Sequence, residues 1–224
     1  MLEFLSKFTH NFICEIADQF CLGGSVKNVE LHGNGNVNDT YLLHCDNGKL
    51  LNRFTLQRIN HEVFKKPEEL MENFLRVTSH LSAKISQKRT GKKSLILIKA
   101  KDGNSFHKDY KGNYWRVTKF VDGGRSFEIP DNSNQAYEAA KAFGEFQVFL
   151  SDLPGKPLVE TISNFHNTRM RFDHFKEVVE KNPMGRLIEV EDLVEFAFDH
   201  ENLVDLIKRS DFPKRVVHND TKLN

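Results

Sequence analysis

The sequence changes period near its middle, and that change limits the fold more than any single motif does. Up to Val121, short apolar runs are separated by turn residues in hairpin order. "VKNVEL" (26–31), "TYLLHC" (40–45) and "LLNRFTLQRI" (50–59) read as three strands. They are joined by the turns "HGNGNVND" and "DNGK", the second carrying an Asn-Gly hairpin signal. Pro67 then opens an inserted helix, "PEELMENFLRVTSHL", with Leu70, Phe74, Val77 and Leu81 on one face. "SAKISQKRTGKK" reads as a polar, basic connector, and "SLILIKA", "SFHKDY" and "YWRVTKFV" as further strands. From Asp122, "DGGRSFEIPDNS" has the texture of a linker, and helical spacing dominates beyond it. The expectation is an α+β chain: an N-terminal lobe over 1–121, built on an antiparallel sheet with one inserted helix, and a helical lobe over 122–224. The seam between two such lobes is a natural place for a ligand.

The first residues, "MLEFLSKFTHNFICEIADQF", are apolar at Leu5, Phe8, Phe12, Ile16 and Phe20, which is one helical face. Glu3, Lys7, Glu15 and Asp18 interrupt it, so it reads as neither a signal peptide nor a membrane span, and the expected compartment is the cytoplasm. Cys14 and Cys21 fall two turns apart on this helix, too far for a disulfide. With Cys45 they read as reduced, half-buried thiols. The formal net charge of +1 gives no reason to expect a nucleic-acid or membrane partner. The basic run Lys84, Lys88, Arg89, Lys92, Lys93 lacks interleaved aromatics and reads as a solvated loop.

Four stretches carry candidate chemistry. Gly33, Asn34, Gly35 and Asn36 lie in a turn whose backbone N–H groups can face a phosphate, although an ordinary hairpin turn explains it equally well. Arg58, at the end of the third strand, can reach phosphate when held by a helix carboxylate. Glu72 is the candidate and Glu69 the alternative; a solvated arginine is the plain reading. "SNFHNT" places Phe165, His166 and Asn167 before a helix, either as sugar-binding groups or as a capping turn over a core phenylalanine. The last ten residues, "RVVHNDTKLN", read as a short apolar strand, Val216–Val217, followed by His218, Asn219 and Asp220. Asp220 can accept a proton from an attacking hydroxyl, Lys222 can approach phosphate charge, and His218 can brace the loop.

The order "GNGNVNDTYLL", "FTLQRINHEVFKKPEELMENFLRVT", "FHNT" and "VVHNDTKLN" resembles the aminoglycoside phosphotransferase and choline kinase superfamily, over nearly the whole chain. Within it, the chain looks most like the N-acetylhexosamine kinase branch. The resemblance implies a protein-kinase-like two-lobed fold with ATP in the seam, Mg²⁺ on the phosphates, and phosphoryl transfer to the anomeric hydroxyl of an N-acetylhexosamine. It makes Asp220 the catalytic Asp, with His218 and Lys222 beside it. The 33–36 turn would cover the phosphates, Arg58 and Glu72 would form the cation–carboxylate pair, and the "TKFVDG" stretch with Phe120 and Asp122 would run into the adenine-binding hinge. His166 and Asn167 stand on the sugar side. The family's metal-binding Asn is the fifth residue after the catalytic Asp, and Asn224 is the fourth. A fragment that lacks its magnesium ligands and has lost turnover is therefore the expectation. The alternatives are a non-catalytic pseudokinase that binds nucleotide or a partner, and a kinase for an aminoglycoside or a choline-like acceptor.

Overall fold

The computed structural model describes residues 8–33, 37–88, 92–124, 127, 129–206 and 213–221. The three strands that open the sequence form consecutive antiparallel hairpins: β1 (Ser25–Leu31), β2 (Asp39–Asp46) and β3 (Leu51–Ile59). The β2–β3 turn forms because Asn47 Oδ1 accepts the Lys49 and Leu50 amides at 3.0 and 2.8 Å, while Gly48 takes a φ of +82° that a side chain would strain. Helix α2 spans Pro67–Lys88. Glu68 and Glu69 in its first turn and Lys88 in its last complement the helix dipole. It runs seven residues past the sequence expectation, through the stretch read as a connector. Ser82–Lys88 lacks helix breakers, and polarity alone does not end a helix.

Strands β4 (Leu97–Ile98) and β5 (His107–Lys108) both pair with β6 (Tyr114–Lys119), giving the sheet order β1-β2-β3-β6-β4. Side chains alternate along a strand, so β3 and β6 divide their residues between two faces. Phe54, Leu56, Arg58, Trp115 and Val117 share one face; Thr55, Gln57, Ile59, Tyr114, Arg116 and Thr118 share the other. Helix α1 (His10–Ala17) packs Ile13, Ile16 and Ala17 on the first face, where Tyr41, Leu43, Cys45, Leu56, Trp115 and Val117 complete the larger core. The N-terminal helix is shorter than its apolar spacing suggests. It ends at Ala17, so Cys21 lies beyond it rather than on it. Burial first, with Asp18 nearby, pushes the Cys45 thiol up to about 11, which makes it unreactive. On the second face α2 lays Met71 over Ile59 and Tyr114.

One buried carboxylate ties the β5–β6 turn to the larger core. Asp109 is 6% exposed and accepts the Lys111 and Asn113 amides, the Asn113 side chain and the Trp115 indole N–H, each at 2.9 Å. Burial pushes its pKa up, but these hydrogen bonds outweigh that and hold it below the ordinary carboxylate value. A depressed carboxyl stabilises the fold above its unfolded pKa of about 4, and loses that contribution as pH falls through the folded value. Urea titrations between pH 2 and pH 6 are therefore expected to show a smaller acid-side loss in Asp109→Asn than in the wild type. Equal acid slopes would contradict this role.

The chain divides into two compact units, residues 1–161 with 215–224, and residues 162–214. The first also holds α3 (Ser133–Phe149), capped by Asn132, whose side chain accepts the Gln135 amide at 3.0 Å. Segment 154–161 is fastened to α2. Arg76 donates to the Pro154 and Lys156 carbonyls, and Asn73 forms a two-way pair with the Val159 backbone at 2.7 and 3.1 Å. The second unit carries α4 (Thr168–Lys181) and α5 (Glu191–Asp199), joined by the rings of Phe172, Phe175 and Phe198. Arg169 clamps Glu201 and Asp205, both at 2.7 Å. The short strand expected at Val216–Val217 does not form: among the described residues these two pair with no strand, and Val217 is 45% exposed.

Candidate active site

Strand parity decides where the expected phosphate cation points. Arg58 sits opposite Trp115, on the α1 face. It is buried, its Nε donates to Asp39 Oδ2 at 2.5 Å, and the Phe8 ring lies 5.7 Å from the guanidinium carbon. Glu72 pairs instead with Lys156 at 3.3 Å, and Glu69 with Lys66 at 3.0 Å. The structure therefore does not bring Arg58 together with either helix carboxylate, because β3 turns position 58 away from α2.

The residues that do face α2 form a polar row across three strands. Thr40 pairs with Gln57, and Gln57 with Arg116, in register. Gln57 Nε2 donates to Thr40 Oγ1 at 2.9 Å, while its Oε1 accepts Arg116 Nε and Nη2 at 3.0 and 2.6 Å. The Arg116 guanidinium lies over Phe74 at 4.5 Å and its Nη1 is 4.0 Å from Met71 Sδ. Burial lowers its pKa to about 10, so it remains a cation at neutral pH. This row begins beside the β1–β2 turn, where the His32 amide donates to the Thr40 carbonyl at 2.9 Å and Gly33 takes a φ of +81°. Asn34, Gly35 and Asn36 lie outside the described residues. Nothing in the sequence reading singled out Arg116. The available signal was parity: a cation three positions after Asn113 shares the face of Ile59 and Tyr114.

Phe120 and Asp122, expected at a hinge, line a cavity of about 340 Å³ with Ile85, Ser86, Ile96 and Val121. Phe120 is fastened to β3: its amide donates to the Arg53 carbonyl at 3.0 Å, and the Arg53 guanidinium covers its ring at 4.7 Å. The His32 ring stands edge-on to it at 5.6 Å. Arg53 also pairs with Asp122. The Phe120 N–H is thus already engaged, and any backbone contact to a base along this stretch falls to its neighbours.

His218 reaches a second, apolar cavity of about 590 Å³ lined by Leu70, Phe74, Val77, Phe146 and Phe149. Its ring meets Phe143 at 5.3 Å and Phe146 at 6.0 Å, edge to face. These contacts fit a bracing role. Asn219 takes a φ of +63°, and Asp220 follows it, exposed to solvent. Lys222 lies outside the described residues.

In the second unit Asn167 caps α4, its side chain accepting the Met170 amide at 3.2 Å. Phe165 is 47% exposed, so it is not the core residue beneath the turn that one reading required. It carries the His166 ring at 4.8 Å and the Arg171 guanidinium at 5.0 Å. Among the described residues no three His, Cys, Asp or Glu side chains converge. No helix among them is long and apolar enough to cross a membrane.

A sequence profile described as the phosphotransferase enzyme family matches residues 28–224. Among solved structures, the chain is similar to a spectinomycin phosphotransferase in complex with ADP and spectinomycin. The TM-score is 0.56 at 9% identity, over 96% of this chain and 63% of that one. It is also similar to an aminoglycoside phosphotransferase from Alicyclobacillus acidocaldarius, with a TM-score of 0.47 at 14% identity over 88% and 53% of the two chains. The chain thus spans less than two thirds of either protein's length. The first likeness carries the fold: the expected α+β, kinase-like architecture holds.

Proposed function

The chain belongs to the phosphotransferase enzyme family, and on that premise we propose that it is the nucleotide-binding part of an ATP-dependent, cytoplasmic N-acetylhexosamine kinase. A lobe boundary at 121/122 goes with this reading. The acceptor hydroxyl gives its proton to Asp220 as its oxygen forms a bond to the γ-phosphorus. The bond to the β–γ bridging oxygen breaks, and ADP leaves. His218, packed on Phe143 and Phe146, steadies the extended segment that delivers Asp220. Phe120 and Asp122 border the adenine, the 33–36 turn covers the phosphates, and Lys222 approaches their charge. His166 and Asn167 address the sugar, with Asn167 also capping α4. Magnesium would neutralise phosphate charge when bound.

The observation that carries this reading is the join between sequence and geometry. The stretch "LQRINHEVFKKPEELMEN", the most distinctive of the resemblance, leads from β3 into α2. Beside these elements lie a glycine turn, a sheet-borne cation and a cavity at Phe120–Asp122. A neutral sugar is preferred over a cationic acceptor because "FHNT" is not acidic. Thermal melts with ATP test the nucleotide half. A ligand at 100 times its Kd stabilises by about 2.7 kcal/mol, so a clear rise in Tm is expected. An unchanged Tm at millimolar ATP contradicts nucleotide binding.

A further inference from the structure

We propose that Arg116, rather than Arg58, is the cation that receives the phosphate chain of the nucleotide, with Gln57 fixing the plane of its guanidinium. The inference rests on the nucleotide reading above and names the residue that the fold, rather than the motif, puts in place. Its first support is what surrounds the group. Arg53, Arg58, Arg169 and Arg186 each pair with a carboxylate, and Arg76 and Arg171 donate to backbone carbonyls. Arg116 pairs with none among the described residues; its neighbours are an amide oxygen, a thioether and a phenyl ring. A half-buried cation without a counter-charge is costly to the fold, and such a group persists where an anion completes it.

The second support is direction. Gln57 accepts Nε and Nη2 on its one oxygen, which orients the fork and leaves Nη1 with only the weak Met71 sulfur acceptor. A planar guanidinium with an uncommitted edge suits phosphate oxygens. The third support is place. The row Thr40–Gln57–Arg116 starts at the residue that closes the β1–β2 turn, and it lies on the α2 face of the sheet. Arg58 is on the opposite face, already neutralised by Asp39.

Calorimetry with tripolyphosphate, ATP and adenosine on the wild type, Arg116→Met and Arg116→Lys tests this. Losing a charge-assisted pair is expected to weaken tripolyphosphate and ATP by roughly 10- to 100-fold in Arg116→Met. Its Tm should be unchanged or higher, because an unpaired cation gives way to an apolar chain of similar length. Arg116→Lys should fall between. Wild-type affinity for tripolyphosphate in Arg116→Met overturns the proposal, as does no tripolyphosphate binding by the wild type. If both variants melt well below the wild type, Gln57→Leu decides. It keeps the charge and frees the fork, and wild-type tripolyphosphate affinity in that variant overturns the proposal. Adenosine separates the two claims. Adenosine bound with tripolyphosphate indifferent to Arg116 sinks this inference and keeps the base site. Tripolyphosphate lost in Arg116→Met with adenosine never bound keeps Arg116 and sinks the nucleotide reading.

Discussion

Replacing Asp220 with Asn is expected to lower kcat by about 10²–10⁴-fold in the protein encoded by the complete gene, the range a positioned general base contributes. The amide keeps the shape of the carboxylate and still accepts a hydrogen bond, but it does not take a proton at neutral pH. ATP affinity should stay within about twofold, since the proposed role is toward the acceptor hydroxyl. Stability should move by no more than about 0.5 kcal/mol, because Asp220 is exposed. These three readouts together separate loss of chemistry from loss of fold. A kcat within threefold of the wild type would remove Asp220 from the mechanism. A fall in kcat matched by a fall in Tm would point to a local structural role.

Trp115→Ala is expected to be the most damaging single change to the fold, at about 3–5 kcal/mol. Trp115 is 0% exposed and sits at the crossing of α1 and the sheet. The rings of Phe8 and Phe12 stand edge-on to it at 5.3 and 6.2 Å, and Tyr41 lies tilted against it at 6.4 Å. Its removal leaves a large cavity and also takes the indole N–H from the buried Asp109 carboxylate. For a chain of this length, that loss lowers Tm by about 6–20 °C. Trp115→Phe keeps the ring contacts and gives up the hydrogen bond, so it should recover more than half of the lost stability. Equal losses in the two variants would show that the hydrogen bond to Asp109, not the packing, dominates.

The antiparallel sheet and the inserted helix were legible in the sequence because their signals are local. The Asn-Gly turn fixes the β2–β3 hairpin through Asn47 and Gly48, and Pro67 marks the start of α2. Ends were harder to read. The polar stretch Ser82–Lys88 stays helical because nothing in it opposes a helix, and Val216–Val217 is apolar without a neighbouring strand to pair with. The site was harder still, because it depends on which face of a strand a residue occupies. Gln57 and Arg58 are adjacent in "TLQRIN", yet one faces α2 and the other α1. Reading Arg58 as the phosphate cation required it to share a face with Ile59, its neighbour in sequence, and a pleated strand forbids that. The same parity reveals Arg116, which lies two residues from Tyr114 on the face that Ile59 and Met71 bury. Asn167 shows the converse: its capping role was visible from local sequence, and the structure forms it.

The proposed reaction is phosphoryl transfer from ATP to a sugar hydroxyl with Asp220 as the base. Phosphorus-31 NMR of the complete gene product, incubated with ATP, magnesium and N-acetylglucosamine or N-acetylgalactosamine, measures this directly. The predicted result is a new sugar anomeric phosphate resonance growing with ADP, absent in Asp220→Asn. A folded protein that binds ATP and forms no sugar phosphate from either would contradict the account.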